Sequence, residues 1–82
     1  MTRSRIYPEA DPFTFMIEVV DKDGNATEAL AGANNVSAAR AAFSYLVSFH
    51  RPHTKLQLRQ RGRIMVRENG TAANVYPLAP SP

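Results

Sequence analysis

Five basic residues crowd into one short stretch: Lys55, Arg59, Arg61, Arg63 and Arg67. Ammonium and guanidinium groups at this density suit anions, nucleic-acid phosphates above all. Whether they act together depends on how Lys55-Leu56-Gln57-Leu58-Arg59 pairs with Arg63-Ile64-Met65-Val66-Arg67. A three-residue loop, Gln60-Arg61-Gly62, sets Leu58 against Ile64 and Leu56 against Val66, with Gly62 as its left-handed residue. A two-residue turn at Arg61-Gly62 sets Leu58 against Met65 and leaves Ile64 facing Arg59. A slip of one residue turns every apolar side chain outward, so the three-residue loop is expected. It places Arg59 opposite Arg63 and Lys55 opposite Arg67. Like charges so placed oppose folding by roughly 0.2–1 kcal/mol per pair, and the ladder needs a reason. It is an anion-binding face, or it is offset by Glu18 on the next strand, or it guards a sheet edge against aggregation. The hairpin has no aromatic residue on which bases could stack, which argues against single-stranded RNA. A two-stranded ribbon can enter a DNA major groove, and symmetric phosphate contact without sequence reading is equally consistent.

Other constellations carry less. Asp21-Lys22-Asp23-Gly24-Asn25 resembles the opening of an EF-hand calcium loop, but only over five residues. The glycine of the sixth position is Ala26, and the bidentate glutamate of the twelfth is Gly32. A strand, not a helix, precedes it, so a hairpin turn is the expectation. His50 and His53 lie three apart with no further metal ligands nearby, and His50 falls where a helix C-terminus welcomes a cation. There is no cysteine, which excludes thiolate metal sites and cysteine nucleophiles. No nucleophile with a base, carboxylate pair or phosphate-cradling glycine loop has a recognisable spacing. The chain is expected to be no enzyme, with no cofactor and no metal.

The 82 residues suffice for one core. The net charge of +3 conceals a polarity. Residues 1–39 hold three basic against six acidic groups, and residues 40–82 hold seven basic groups against Glu68 alone. Such asymmetry points to an anionic partner or to halves that neutralise each other. Eight arginines against two lysines, with abundant alanine, suggest a GC-rich bacterial source. No apolar run approaches the roughly 20 residues that span a bilayer, and no signal-peptide pattern opens the chain. A cytoplasmic protein without membrane contact is expected.

The elements that must position these residues follow from periodicity. Residues 1–12 read as a flexible arm and 77–82 as a proline-rich tail, with the domain over 13–68. Phe13, Phe15, Ile17 and Val19 alternate with Thr14, Met16, Glu18 and Val20, a strand. After the turn at 21–25, residues 26–33 make a weak return strand suited to a sheet edge. Asn34-Asn35 offers an N-cap to a helix that buries Val36, Ala39, Phe43, Leu46, Val47 and His50. Ser37, Arg40, Ala41, Ser44, Ser48 and Arg51 lie opposite, Tyr45 and Phe49 flank the stripe, and Pro52 stops the helix. Asn69-Gly70 allows a further turn, and with it a fifth strand over 71–76 that would extend the domain.

The expected fold is α+β, in the order β-β-α-β-β. One helix packs on one face of an antiparallel sheet of spatial order 2-1-3-4. The helix side takes Phe13, Phe15, Ile17, Leu56, Leu58, Ile64 and Val66. The other face is open, with Met16, Val20 and Met65 among charges, and would suit a homodimer. The chain therefore reads as a small binding module for a protein partner or for itself. The alternative is nucleic-acid binding through Lys55, Arg59, Arg61, Arg63 and Arg67.

Overall fold

The computed structural model describes residues 12–74. Two strands, β1 (Phe15–Val20) and β2 (Ala26–Ala33), precede the helix α1 (Val36–Ser48), and β3 (Lys55–Gln60) and β4 (Arg63–Asn69) follow it. All pairings are antiparallel, and the sheet order is β2-β1-β3-β4. The α+β arrangement, the strand order and the bounds of β2 agree with the sequence reading. The tail over 77–82 and the arm up to residue 11 lie outside the described residues.

The most apolar strand, β1, is central, and the alanine-rich β2 takes an edge. Phe15 and Ile17 meet Leu56 and Leu58 on the side where Ala39, Phe43 and Val47 of α1 descend. Leu30, Leu46, Met65 and Val66 close the periphery of this core. The two asparagines before the helix divide the work at its start. The Asn35 side chain accepts the Ala38 N–H at 2.9 Å as the N-cap, while Asn34 Oδ1 accepts the Thr14 N–H at 2.9 Å and ties β1 to the helix entry.

Besides Val36, which stands 41% exposed at the start of α1, two expected core residues sit elsewhere. Phe13 precedes β1 and lies on the far side, its ring against Gly32, where an added Cβ would stand 2.8 Å from Phe13 Cγ and 3.1 Å from Met16 Sδ. Gly32 is thus the floor on which the ring rests, which a larger residue would fill. Ile64, the second, is 46% exposed. The two-residue turn described below sets it opposite Arg59 on the far face.

The chain after β4 does not begin a fifth strand at residues 71–74, and residues 75–76 lie outside the description. It crosses the C-terminal end of α1 instead. The Thr71, Asn74 and Ala72 N–H groups donate to the carbonyls of Val47 (3.0 Å), Ser48 (2.8 Å) and His50 (2.9 Å). A helix end leaves such carbonyls short of intrahelical partners, and the Val47 carbonyl also accepts the His50 N–H at 3.3 Å. Asn69 Nδ2 donates to the Pro52 carbonyl at 2.6 Å and holds the approach to this crossing. His50 Nδ1 lies 2.7 Å from the Leu46 carbonyl, so the ring donates back into its own helix.

Candidate functional site

The hairpin that carries the basic residues has a register absent from both simple alternatives. Gln60 pairs with Arg63 across the two-residue loop Arg61-Gly62, and Arg59 pairs with Ile64. The ladder then shifts by one, so that Leu58 meets Val66, Gln57 meets Arg67, Leu56 meets Glu68 and Lys55 meets Asn69. Met65 is the extra residue, a bulge, and it packs against the helix-side core. The expected three-residue loop and the pairs Leu58–Ile64 and Leu56–Val66 are therefore corrected. The bulge lets Leu58 face Val66 while the tight turn is kept, and that turn sets Ile64 opposite Arg59 on the far face. Met65, expected on the open face, goes inward for the same reason.

The turn also uses its residues differently from expectation. Arg61, not Gly62, takes the left-handed backbone, with φ of 54°. Its N–H donates to the Thr14 carbonyl at 3.2 Å, and its carbonyl accepts from Arg59 Nη1 at 2.6 Å. A side chain in that region is disfavoured, by roughly 1–2 kcal/mol. Arg61→Gly is expected to raise stability by about 0.5 kcal/mol, the relief being partly cancelled by the freer unfolded chain. Chemical denaturation of the two proteins measures this.

With this register the like-charge ladder is not formed. Arg59 faces Ile64 rather than Arg63, and Arg67 faces Gln57 rather than Lys55. Arg59 forms a bidentate ion pair with Glu18 of β1, Nε donating to Oε1 at 2.9 Å and Nη2 to Oε2. Glu18 Oε1 also accepts Gln57 Nε2 at 2.8 Å, and Gln57 Oε1 accepts Arg67 Nε at 2.9 Å. Arg67 Nη2 reaches the Gly24 carbonyl at 3.3 Å. One hydrogen-bonded chain thus runs over the far face of the sheet through β1, β3 and β4. Glu18 is wholly buried and Gln57 nearly so. A buried carboxylate is tolerated only when its charge is met and its oxygens are satisfied, as here.

Of the five basic residues, Arg59 and Arg67 are engaged within the fold. Lys55, Arg61 and Arg63 are exposed, but they do not share a surface. Lys55 lies at the end of β3 remote from the loop, on the far face. Arg61 is at the loop tip, and Arg63 pairs with Gln60, which aligns with the helix-facing Phe15. The far face is also not the open apolar face the alternation implied. Met16 lies between Gly32 and Arg59, and Val20 between Ala26 and Lys55. As central-strand residues flanked on both sides, both are buried.

The β1–β2 turn is self-contained. Asp21 Oδ1 accepts the N–H groups of Asn25 and Asp23, each at 2.9 Å, and the Gly24 N–H bonds to the Asp21 carbonyl at 2.9 Å. The Asn25 bond, chiefly, with those of Asp23 and Gly24, holds the carboxyl below its usual 3.8. Because the folded carboxyl stays charged to lower pH than the unfolded one, it supports the turn above 3.8 and loses this role as pH falls further. The stability gap between wild type and Asp21→Ala is expected to be constant at neutral pH and to narrow in acid. Thermal melts of both proteins at a series of pH values check this. Among the described residues no group of three or more His, Cys, Asp or Glu is placed to hold a metal, and no helix is long and apolar enough to cross a membrane.

Among the described residues, the outer side of α1 is an exposed surface almost without charge. Arg40 is its one charged residue, and at about 100° per residue it stands on the flank of the face centred on Ala41. Ser37, Ala38, Ala41 and Ser44 are exposed there, with no long side chain above them. Tyr45, 62% exposed, and Phe49, 40% exposed, stand at one end with ring centroids 4.6 Å apart. The sequence reading treated these aromatics as flanking the buried stripe. Their spacing of four residues, opposite the apolar stripe and beside alanines, was the available signal. No family model, curated protein or solved structure matches the chain.

Proposed function

We propose that this domain is a small non-enzymatic protein-interaction module whose contact surface is the outer face of α1. The observation that carries the reading is an exposed helix face without charge, headed by the Tyr45–Phe49 pair. Solvated helix faces are ordinarily covered with charged and polar residues. Large aromatics half in water are the anchors that interfaces use. The engagement of Arg59 and Arg67 with Glu18, Gln57 and Gly24 weighs against the anion-binding alternative, since it leaves Lys55, Arg61 and Arg63 on separate surfaces. The excess of arginine over lysine and the absence of cysteine support a bacterial cytoplasmic setting.

Two measurements test the reading on the full chain. Duplex DNA added at low and moderate salt is expected to leave the amide resonances of residues 55–67 unmoved. Binding that weakens steeply with salt and shifts those amides would overturn the proposal in favour of nucleic acid. A photo-crosslinking residue placed at Ser44 is expected to form protein adducts in cells, and the same residue at Arg61 none. The reverse pattern would move the contact surface to the hairpin.

A further inference from the structure

We infer that the occupant of the α1 outer face is a second copy of this chain, docked with its helix antiparallel to the first about a two-fold axis near Ala41. The inference rests on the interaction reading above and names its partner. A two-fold contact sets each residue near the axis against its own copy, so a charged face repels itself. On the far face of the sheet, the exposed Lys55 and Arg67 would bring like charges of the two copies together. The α1 outer face has no charge at its centre, its one charged residue, Arg40, standing on the flank.

Its relief is self-complementary in one direction only. Ser37, Ala38 and Ala41 make the N-terminal half low, and Tyr45 and Phe49 make the C-terminal half high. Parallel helices would stack high against high and leave a gap at the other end. Antiparallel helices seat Tyr45 of each copy over Ala38 of the other, with Ala41 at the axis, where small side chains let the backbones approach. A helix of 13 residues is about 20 Å long. A contact along it covers roughly 400 Å² per copy, about half of a standard interface. The dimer is accordingly weak and concentration-dependent.

Sedimentation of the full chain tests this through charge at the axis. The wild-type mass is expected to rise from monomer toward dimer between roughly 10 µM and 1 mM, the range suited to so small an interface. Ala41→Glu and Ala41→Lys, both at an exposed position and both good helix formers, are each expected to stay monomeric while melting like wild type. Their equimolar mixture is expected to regain the dimer, because opposite charges then meet at the axis. A charge lost through misfolding would not be rescued by mixing. Wild type that stays monomeric throughout, or Ala41→Glu that dimerises as well as wild type, overturns the inference. If the Ser44 adducts persist with a monomeric wild type, the interaction reading stands and the second copy is wrong. If neither appears, both fail together.

Discussion

Gly70→Ala is expected to cost about 3 kcal/mol or more, enough to unfold a marginal domain of this size. Gly70 is buried where the chain leaves β4 and passes under the end of α1. An added Cβ would overlap the carbonyl carbon and oxygen of His50 and stand 2.5 Å from the Arg51 carbonyl oxygen. All of these are backbone atoms, so no rotamer change can make room. Either the segment lifts, forfeiting the hydrogen bonds of Gly70 to Thr54, Thr71 to Val47 and Ala72 to His50, or the helix end moves and loosens Val47 in the core. Gly32 provides the contrast. There the obstacle is the ring of Phe13, which is 40% exposed and free to swing out, so alanine is expected to be tolerated far better. Urea denaturation of the two variants side by side reads the difference. Equal and small losses would show that the crossing under α1 contributes little to stability.

Glu18→Ala carries the other large expected effect, about 3–5 kcal/mol, the range for removing one partner of a buried ion pair. Arg59, whose side chain is 16% exposed, would keep its charge against the sheet without its carboxylate. Gln57 would lose the acceptor of its amide at a position 3% exposed. The damage should come mainly from the partners left behind rather than from the attraction lost. Replacing Glu18 and Arg59 together by methionine is accordingly expected to restore most of the loss. A double-mutant cycle among wild type, the two single variants and the double variant measures that coupling. Additive effects would mean that the pair is incidental to the fold.

The residues explain how much of this could be read in advance. The order of elements was legible because β1 sets Phe15, Ile17 and Val19 on one face and the helix repeats its apolar positions at Ala39, Phe43 and Val47. The hairpin register was not, because Ile64, Met65 and Val66 are three apolar residues in succession. Such a run satisfies either face, and only a bulge lets Leu58 meet Val66 while Arg61-Gly62 keeps a tight turn. Glu18 was assigned to an open face since carboxylates are seldom buried. Its neighbours Met16 and Val20 carried the opposing hint, both being apolar on that same face of a central strand. Of the five basic residues, Arg59 and Arg67 have side-chain partners, Glu18 and Gln57, that become neighbours only in the folded sheet. Glu18 could be named in advance because the expected strand order puts β1 beside β3, whereas the Gln57–Arg67 pair depends on the bulge.

The position of β1 bears on how the domain is made. It is born first yet needs neighbours on both sides, and its second neighbour, β3, starts 35 residues after β1 ends. Glu18 waits for Arg59 over 41 residues, with a carboxylate lodged among Met16 and Val20. A nascent chain ending after α1 can form the first hairpin but must leave one edge of its most apolar strand bare. The half-made domain is therefore expected to be a client for chaperones or a target for proteases. It becomes a settled unit only when β3 arrives, and residues 70–74 then shut the end of the helix.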